Sequence, residues 1–319
     1  MSWTPLTPAA DVRLVGVIGT GVIGGGWAAK FLAQGYDVIA WDPGADAPER
    51  LERLLDVAWP SLEALGLAPG ASRGRLRFAD SPEAVCAEAE VIQESGPEVL
   101  DLKIDMLTRL DAAAPVGVPI LSSTSGYRMT DMAVRAAHPE RLVVGHPFNP
   151  PYLVPLVEVV GGERTDAAVV DWALDFYTRA GKKALRCSNE LPGFVANRIQ
   201  DAAWRELLHM VANDEATVEE CDVALVYGPG ARWAQMGVGL TFHLAGGEGG
   251  MAHMLDHFGD SLLEPWTRLE APPLTPELRD RMVAGCEAEA AGRSIADLQR
   301  QRDAFLVDLL KLLEKHAAC

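Results

Sequence analysis

Three glycines stand where a nucleotide phosphate could be bound. The segment GTGVIG has the spacing GxGxxG, follows an apolar run and begins an apolar segment with helical periodicity. In such a strand–turn–helix, Gly19 permits the tight turn, Gly21 lets a pyrophosphate approach the backbone, and Gly24 lets helix and strand pack closely. The N–H groups that open the helix then bind the pyrophosphate. The residues assigned to this loop are Gly19, Thr20, Gly21, Val22, Ile23 and Gly24.

An acid closes the next apolar run. Asp42 lies 18 residues after Gly24, in the region where an acid binds the adenosine ribose hydroxyls and repels a 2′-phosphate. The pattern therefore predicts NAD rather than NADP, and with NAD a reaction that moves a hydride. The alternative is a glycine-rich turn with an unrelated surface aspartate, and the order of strand, loop, helix, strand and acid argues against it.

One histidine is placed to act as a general base. When a hydride leaves an alcohol, a base must take the hydroxyl proton. Of seven histidines, His146 ends the apolar run RLVVGH and precedes the rigid turn PFNPP, and open α/β sheets bind ligands at the carboxyl ends of strands. The chain returns as YLVPLVEVV, which would bring Glu158 alongside His146 to orient the imidazole and stabilise its protonated form. A merely structural histidine is the alternative, but a buried glutamate needs a partner.

Hydroxyl and amide side chains near two other turns could hold the substrate oxygen. LSSTSG, residues 121–126, follows another apolar run, and its hydroxyls could bind that oxygen or simply cap a helix. Asn197, in PGFVANR, begins a long helical pattern and could be a surface amide. The residues alone leave these alternatives open.

Alternating strands and helices up to about residue 187 must position these groups. Short, nearly continuous apolar runs separated by helical patterns predict a mostly parallel sheet covered on both faces, an α/β fold of the Rossmann type. The predicted strands are Leu14–Ile18, Asp37–Trp41, Arg75–Phe78, Val91–Glu94, Pro119–Ser122, Leu142–Gly145, Leu153–Val160 and Lys183–Cys187.

The character of the chain changes after SNELPG, residues 188–193. Strand signals stop, and long helical patterns follow, such as Phe194–Asn213 and Pro276–His316. We therefore predict an NAD-binding Rossmann-type domain over residues 1–188 and an all-helical C-terminal domain over residues 189–319.

The composition argues against several classes of partner. The net charge of −17 and the pI near 4.8 do not suit a protein that binds nucleic acid or an anionic membrane. No run approaches the roughly 18 apolar residues of a membrane span, and the N-terminus lacks a signal-peptide pattern. Five scattered cysteines without metal-ligand spacing indicate reduced thiols. We expect a cytoplasmic protein without a metal site.

Several motifs, in order, resemble those of the 3-hydroxyacyl-CoA dehydrogenase family. The similarity covers roughly residues 13–260 and includes the glycine-rich loop, PEVLDLK at 97–103, SSTSG, GHPFNP, LVEVV and PGFVANR. The resemblance implies a Rossmann-type domain and a helical domain through which two subunits pair. It also implies site roles. His146 would be the base and Glu158 its partner. Ser125 and Asn197 would bind the substrate oxygen, and Glu98 and Lys103 would lie near the nicotinamide and its ribose.

Two departures separate the chain from family members that act on CoA thioesters. Those members usually read SNTSS, where this chain has Ser123 in place of the asparagine, and GYPMGP, where it has GARWAQMG. The segments AWPSLEALGLAPGAS, GPGARWAQMG, LAGGEGGMAHML and AAGRSIADLQRQRDAFLV look most like the carnitine 3-dehydrogenases and extend the match over nearly the whole chain. The gulonate 3-dehydrogenases, which include lambda-crystallin, are a second similar branch.

A free acid with a quaternary ammonium group would suit residues near that second departure. The planar guanidinium of Arg232 suits a carboxylate, and aromatic faces hold a trimethylammonium group. Trp233 and Phe242 lie in the same region, and Tyr152 lies beside the predicted catalytic turn. A surface arginine and core aromatics are the alternatives.

Taken with this resemblance, which implies pairing of two subunits, the sequence predicts a homodimeric enzyme that oxidises L-carnitine to 3-dehydrocarnitine with NAD and has a substrate-binding helical domain. One alternative is a dehydrogenase of another 3-hydroxy acid, of the gulonate type, or of a 3-hydroxyacyl-CoA. Another is a non-catalytic NAD-binding structural protein like lambda-crystallin, against which the intact His146 and Glu158 argue.

Overall fold

The computed structural model describes residues 3–258, 267, 273, 275–278, 280–281, 283–284 and 291–316. Contacts between residues divide the chain into two units. The first comprises Met1–Asn197 and Asp303–Lys311, and the second comprises Arg198–Arg302 and Leu312–Cys319. The predicted domain boundary between residues 188 and 189 stays a prediction.

The first unit is built on one eight-stranded sheet, in the order β3-β2-β1-β4-β5-β6-β7-β8. Strands β1 to β6 are parallel, β7 pairs antiparallel with β6, and β8 pairs parallel with β7. The predicted mostly parallel Rossmann-type sheet is confirmed. The strands are β1 (Leu14–Ile18), β2 (Asp37–Trp41), β3 (Leu76–Phe78), β4 (Val91–Glu94), β5 (Ile120–Ser122), β6 (Leu142–Pro147), β7 (Leu156–Gly161) and β8 (Lys183–Arg186).

Helices cover both faces of this sheet, which is why its central strands are apolar throughout. Side chains of α1, α2 and α6 form one core with alternate strand residues, and those of α3, α4 and α5 form the other. In the first core Trp27 stacks on Phe31 and on Tyr177. The helices are α1 (Val22–Ala33), α2 (Ala47–Leu65), α3 (Pro82–Glu88), α4 (Leu100–Ala113), α5 (Met129–Met132) and α6 (Ala167–Arg179).

Every regular element described within residues 198–258 is helical, in agreement with the predicted helical C-terminal part. A π-helical turn, Val226–Gly230, joins two of these helices. The helices from here to the C-terminus are α7 (Ala196–Ala212), α8 (Val218–Leu225), α9 (Ala231–Ala245), α10 (Gly250–Phe258) and α11 (Ile295–His316). None of the helices in the described part of the chain is long and apolar enough to cross a membrane.

Two predicted elements differ from the structure by three residues or more. The strand predicted from Leu153 begins at Leu156, because the amides of Leu153 and Val154 donate to the carbonyl of Pro150 in a turn. The helical pattern predicted over Pro276–His316 is interrupted, because residues 291–294 are not helical. Gly292 has a φ of +76°, and the Ser294 hydroxyl accepts from the Asp297 amide, so that α11 begins afresh.

The last helix contributes to the first unit. Val307 is buried in the core formed with α1, α2 and α6. Asp303 is also buried, and its Oδ2 accepts a 2.7 Å hydrogen bond from the Tyr152 hydroxyl. The segment Asp303–Lys311 is therefore part of the packing beside the turn that follows β6.

Candidate active site

The glycine-rich loop has the shape that a dinucleotide needs. Gly19 has a φ of +84°, and a Cβ there would lie 2.7 Å from the carbonyl oxygen of Ser95. A Cβ on Gly24 would lie 1.8 Å from the carbonyl oxygen of Gly19, so the helix and the turn touch. A Cβ on Gly21 would meet no atom within 4 Å. The loop is thus closed against the protein at Gly19 and Gly24 and open at Gly21, where a pyrophosphate would approach.

Donor groups of this loop remain available to a ligand. Helix α1 has Gly21 as its N-cap and no side-chain cap, so its first N–H groups face outward. The Thr20 hydroxyl is buried and has no hydrogen-bond partner among the residues that the structure describes. Val22 is exposed, whereas Ile23 packs against the core. Together these features fit a phosphate-bearing cofactor.

Asp42 fixes the loop from the end of β2. Its Oδ2 accepts from the Thr20 amide at 2.8 Å, and its Oδ1 accepts from the Gly44 amide at 2.9 Å. The carboxylate is mostly buried, and Nη2 of Arg50 lies 3.2 Å from Oδ1. The predicted acid therefore stands next to the loop, held by two backbone amides.

A cavity of about 300 Å³ lies between the loops that follow β2 and β4. Pro43 lines it on one side, Gly96 and Pro97 on another, and Leu102 and Met106 of α4 on a third. Its exposed lining surface is largely apolar, and Asp42 immediately precedes the lining residue Pro43. Such a cavity suits a flat heterocycle.

A buried acid–base cluster, Glu94 and Lys103, forms part of the wall of this cavity. Lys103 is 1% exposed and Glu94 fully buried, and Nζ of Lys103 is 3.3 Å from Oε1 of Glu94. The Ser122 hydroxyl donates to the other oxygen of Glu94 at 2.6 Å. Nζ of Lys103 is also 3.4 Å from Oε2 of Glu98, so the cluster reaches the surface there. Glu94 was not predicted as a site residue, although a glutamate that ends the buried run VIQE indicates a paired carboxylate.

Glu98 connects this cluster to the SSTSG loop. Its Oε1 accepts from the Thr124 hydroxyl at 2.7 Å and from the Ser125 amide at 2.9 Å. The Ser125 hydroxyl is 3.3 Å from the same oxygen. Nδ2 of Asn197 donates to the Ser125 carbonyl at 2.7 Å. The structure thus brings Glu98, Ser125 and Asn197 together.

Ser123, where the chain departs from the SNTSS pattern, joins the loops that follow β4 and β5. Its hydroxyl accepts from Nε2 of Gln93 at 2.8 Å and lies 2.8 Å from the Ser95 hydroxyl. Gln93 accepts in turn from the Tyr177 hydroxyl at 2.7 Å. A Cβ on Gly145 would lie 1.8 Å from that hydroxyl, which explains the glycine that precedes His146.

His146 and Glu158 face each other across the antiparallel pair β6 and β7. Nδ1 of His146 lies 2.8 Å from Oε2 of Glu158, and both side chains are buried. Phe148 and Phe194 flank the imidazole at ring distances of 4.9 and 5.5 Å. With Nδ1 engaged, Nε2 is the ring nitrogen that can receive a proton.

The second oxygen of Glu158 is held by the start of α7. Oε1 accepts from the amides of Val195 and Ala196, both at 2.9 Å. Burial alone would raise the pKa of Glu158, but the hydrogen bonds from His146 and from the two amides outweigh it and lower that pKa below its ordinary value. Because Asn197 follows Ala196, one run of contacts joins His146, through Glu158, to Asn197.

Four predicted substrate contacts are placed as follows. Arg232, Trp233 and Phe242 belong to α9 in the second unit, where Arg232 and Phe242 are exposed and Trp233 is half-buried. Tyr152 is in the core of the first unit, 6% exposed, with its hydroxyl bonded to Asp303. Its ring has almost no face left for a ligand, which is the physical reason to remove it from the predicted contacts.

Comparisons with known proteins identify relatives along the whole chain. The NAD-binding domain of 3-hydroxyacyl-CoA dehydrogenase matches residues 14–191, and the C-terminal domain of that enzyme matches residues 193–285. The expected cofactor, NAD, is confirmed by the first match. An L-carnitine dehydrogenase of Streptomyces griseus is 64% identical over 309 residues, covering 96% of this chain and 92% of that protein.

More distant relatives are also similar over nearly the full length of the chain. An L-carnitine dehydrogenase of Oceanobacillus iheyensis is 50% identical, covering 96% of this chain and 99% of that protein. Among solved structures, the NAD-dependent 5-formyl-3-hydroxy-2-methylpyridine 4-carboxylic acid 5-dehydrogenase is similar with a TM-score of 0.80 and 29% identity, covering 95% of this chain and 99% of that one. The similarity therefore extends across both matched domains.

Proposed function

The chain belongs to the 3-hydroxyacyl-CoA dehydrogenase family, and within it we propose that this protein oxidises L-carnitine to 3-dehydrocarnitine with NAD. The observation that carries this proposal is the 64% identity to an L-carnitine dehydrogenase over nearly the full length of both chains. The departures from the CoA-thioester pattern at Ser123 and in GARWAQMG support a free acid as substrate.

The cofactor would be held by residues at the carboxyl ends of β1, β2 and β4. Asp42 would bind the adenosine ribose, the apolar cavity would take the adenine, and Glu98 and Lys103 would lie near the nicotinamide and its ribose. The loop residues around the pyrophosphate would be Gly19, Thr20, Gly21, Val22, Ile23 and Gly24. When bound, NAD supplies the acceptor of the hydride from C3 of the substrate.

His146 acts as the general base. Its Nε2 takes the proton of the C3 hydroxyl as the C3–H bond breaks, and Glu158 stabilises the resulting imidazolium through Nδ1. Glu158 suits this role because its own lowered pKa keeps it ionised. Ser125 and Asn197, which contact each other, orient the substrate oxygen toward His146.

Three side chains are proposed for the rest of the substrate. Arg232 binds the carboxylate, and Trp233 or Phe242 binds the trimethylammonium group. Pairing of two subunits through the helical domain and a cytoplasmic location remain predictions.

A parallel assay with the purified protein tests the substrate. NADH absorbance is followed with L-carnitine, gulonate and 3-hydroxybutyryl-CoA, and robust turnover is expected with L-carnitine. Turnover with either of the others and none with L-carnitine would contradict the proposal. NADH binding without turnover of any of the three would favour a structural protein.

A further inference from the structure

We propose that Arg50 is a second residue that determines the choice between NAD and NADP, and that Asp42 excludes a 2′-phosphate partly by occupying the Arg50 guanidinium. This inference rests on the proposed function, because it concerns the ribose end of the same cofactor site. In this arrangement the wild-type chain already contains a phosphate-binding group that Asp42 masks.

The guanidinium lies beside the carboxylate that would meet the ribose. Nη2 of Arg50 is 3.2 Å from Oδ1 of Asp42, while Nη1 pairs with Asp46. A Cβ built on Gly44 would lie 2.8 and 3.0 Å from the two terminal nitrogens and 3.1 Å from Oδ1 of Asp42. The glycine thus leaves room for the guanidinium to lie across the turn that follows β2, next to Asp42.

The charges at this turn act in opposite directions on a 2′-phosphate. Asp42 repels it, whereas an arginine at the same place can bind it through a planar fork of donors. In the wild-type chain the fork is committed to two carboxylates, so its attraction is offset. When Asp42 is neutralised, Nη2 is released while Asp46 still holds Nη1 and keeps the guanidinium in place.

The structure therefore predicts that changing Asp42 alone does more than remove repulsion. NADPH affinity should rise in Asp42→Ala because Arg50 then binds the 2′-phosphate, and most of that gain should disappear in Asp42→Ala/Arg50→Ala. NADH carries no 2′-phosphate, so the second substitution should change its affinity little. Arg53 provides a matched control, since it is an exposed arginine of the same helix, whereas within the described residues the ion pair with Asp42 is made by Arg50.

The test is calorimetric titration of NADH and NADPH, without substrate, into the wild-type chain and the variants Asp42→Ala, Asp42→Ala/Arg50→Ala and Asp42→Ala/Arg53→Ala. Asp42→Asn is measured too, because it removes the charge while keeping the side-chain shape. We expect the Arg50 double variant to bind NADPH about tenfold more weakly than Asp42→Ala, the effect of one charge-assisted hydrogen bond. The Arg53 double variant should bind NADPH like Asp42→Ala.

Equal NADPH affinity in Asp42→Ala and Asp42→Ala/Arg50→Ala would overturn the role of Arg50. An equal loss in the Arg53 double variant would also overturn it, because the effect would then be a general one of net charge. Failure of the wild-type chain to bind NADH would instead contradict the proposed function, so the two failures are distinguishable.

Discussion

Nδ1 of His146 lies 2.8 Å from Oε2 of Glu158, on residues that face each other across antiparallel β6 and β7. The reversal of direction at the end of the parallel sheet creates this pair, because it returns the chain along the strand that carries the histidine. The other oxygen of Glu158 accepts two amides at the start of α7. The carboxylate is therefore fixed from both sides and can orient only one tautomer of the imidazole.

Removing the base should affect chemistry more than cofactor binding. We expect His146→Ala to lower kcat at least about a hundredfold, since general-base catalysis typically contributes about 10²–10⁴. NADH affinity, measured by calorimetry, should be retained because the glycine-rich loop lies on β1 and not on β6. Near-normal turnover by His146→Ala would remove the residue from the mechanism.

Neutralising the partner carboxylate should shift the pH dependence. The rate rises with pH on its acidic limb because the base must begin neutral, and the charge of Glu158 favours the protonated imidazole. Glu158→Gln should therefore lower kcat and move that limb to lower pH in a profile of kcat/KM. An unchanged limb would mean that Glu158 does not interact with the catalytic base.

The Glu158 carboxylate should make the stability of the fold depend on pH in the acidic range. Since the folded-state pKa of Glu158 lies below its ordinary value of 4.5, its contribution is present above that value and is lost as the pH falls through the folded-state pKa. Thermal unfolding of wild type and Glu158→Gln between neutral pH and pH 3 should show a difference in Tm that shrinks toward acid. A constant difference would contradict the lowered pKa.

Alanine substitutions at two glycines of the loop should change different properties, one the stability of the fold and the other the affinity for NADH. Gly24→Ala should destabilise the fold, because its Cβ would lie 1.8 Å from the Gly19 carbonyl oxygen. Gly21→Ala has open space and should leave Tm nearly unchanged, but it should weaken NADH binding because the methyl group occupies the approach of the pyrophosphate. Tm and calorimetric affinity measured on both variants separate the effects. Full NADH affinity in Gly21→Ala would place the pyrophosphate elsewhere.

Breaking a buried ion pair should lower the stability of the fold far more than breaking an exposed one. Arg141 and Asp111 are both fully buried with a 2.8 Å contact, and Asp111 also accepts two backbone amides. Arg141→Ala should lower stability by about 3–5 kcal/mol, because it leaves an uncompensated buried carboxylate. Arg135→Ala breaks an exposed pair with Asp105 and should cost at most about 1 kcal/mol. Similar urea midpoints for the two variants would contradict this contrast.

Much of the first unit follows from local pattern. Continuous apolar runs of strand length gave the eight strands, and GxGxxG with Asp42 gave the loop and its acid, because each signal lies within a few residues. His146 and Glu158 were predictable as a pair because only a short turn separates their strands. The later start of β7 was not, since that turn depends on backbone bonds at Pro150 and on Nζ of Lys182, which donates to the carbonyls of Pro151 and Val154.

Two contacts of the first unit were not predicted: one joins distant segments, and the other joins a strand to the helix that follows it. Tyr152 looked like a ligand contact because it follows the catalytic turn, yet its hydroxyl bonds Asp303, 151 residues away. The role of Glu94 as a partner of Lys103 becomes visible only in the structure, where Lys103 of α4 packs against it. Such pairings have no periodicity, and they depend on how whole helices pack against the sheet.

The proposed reaction transfers a hydride from C3 of L-carnitine to NAD. Its most direct test is to incubate the protein with NAD and L-carnitine carrying deuterium at C3, and to measure the deuterium content of the NADH by mass spectrometry. We expect one deuterium atom in each NADH formed. NADH without deuterium, or no NADH at all, would contradict it.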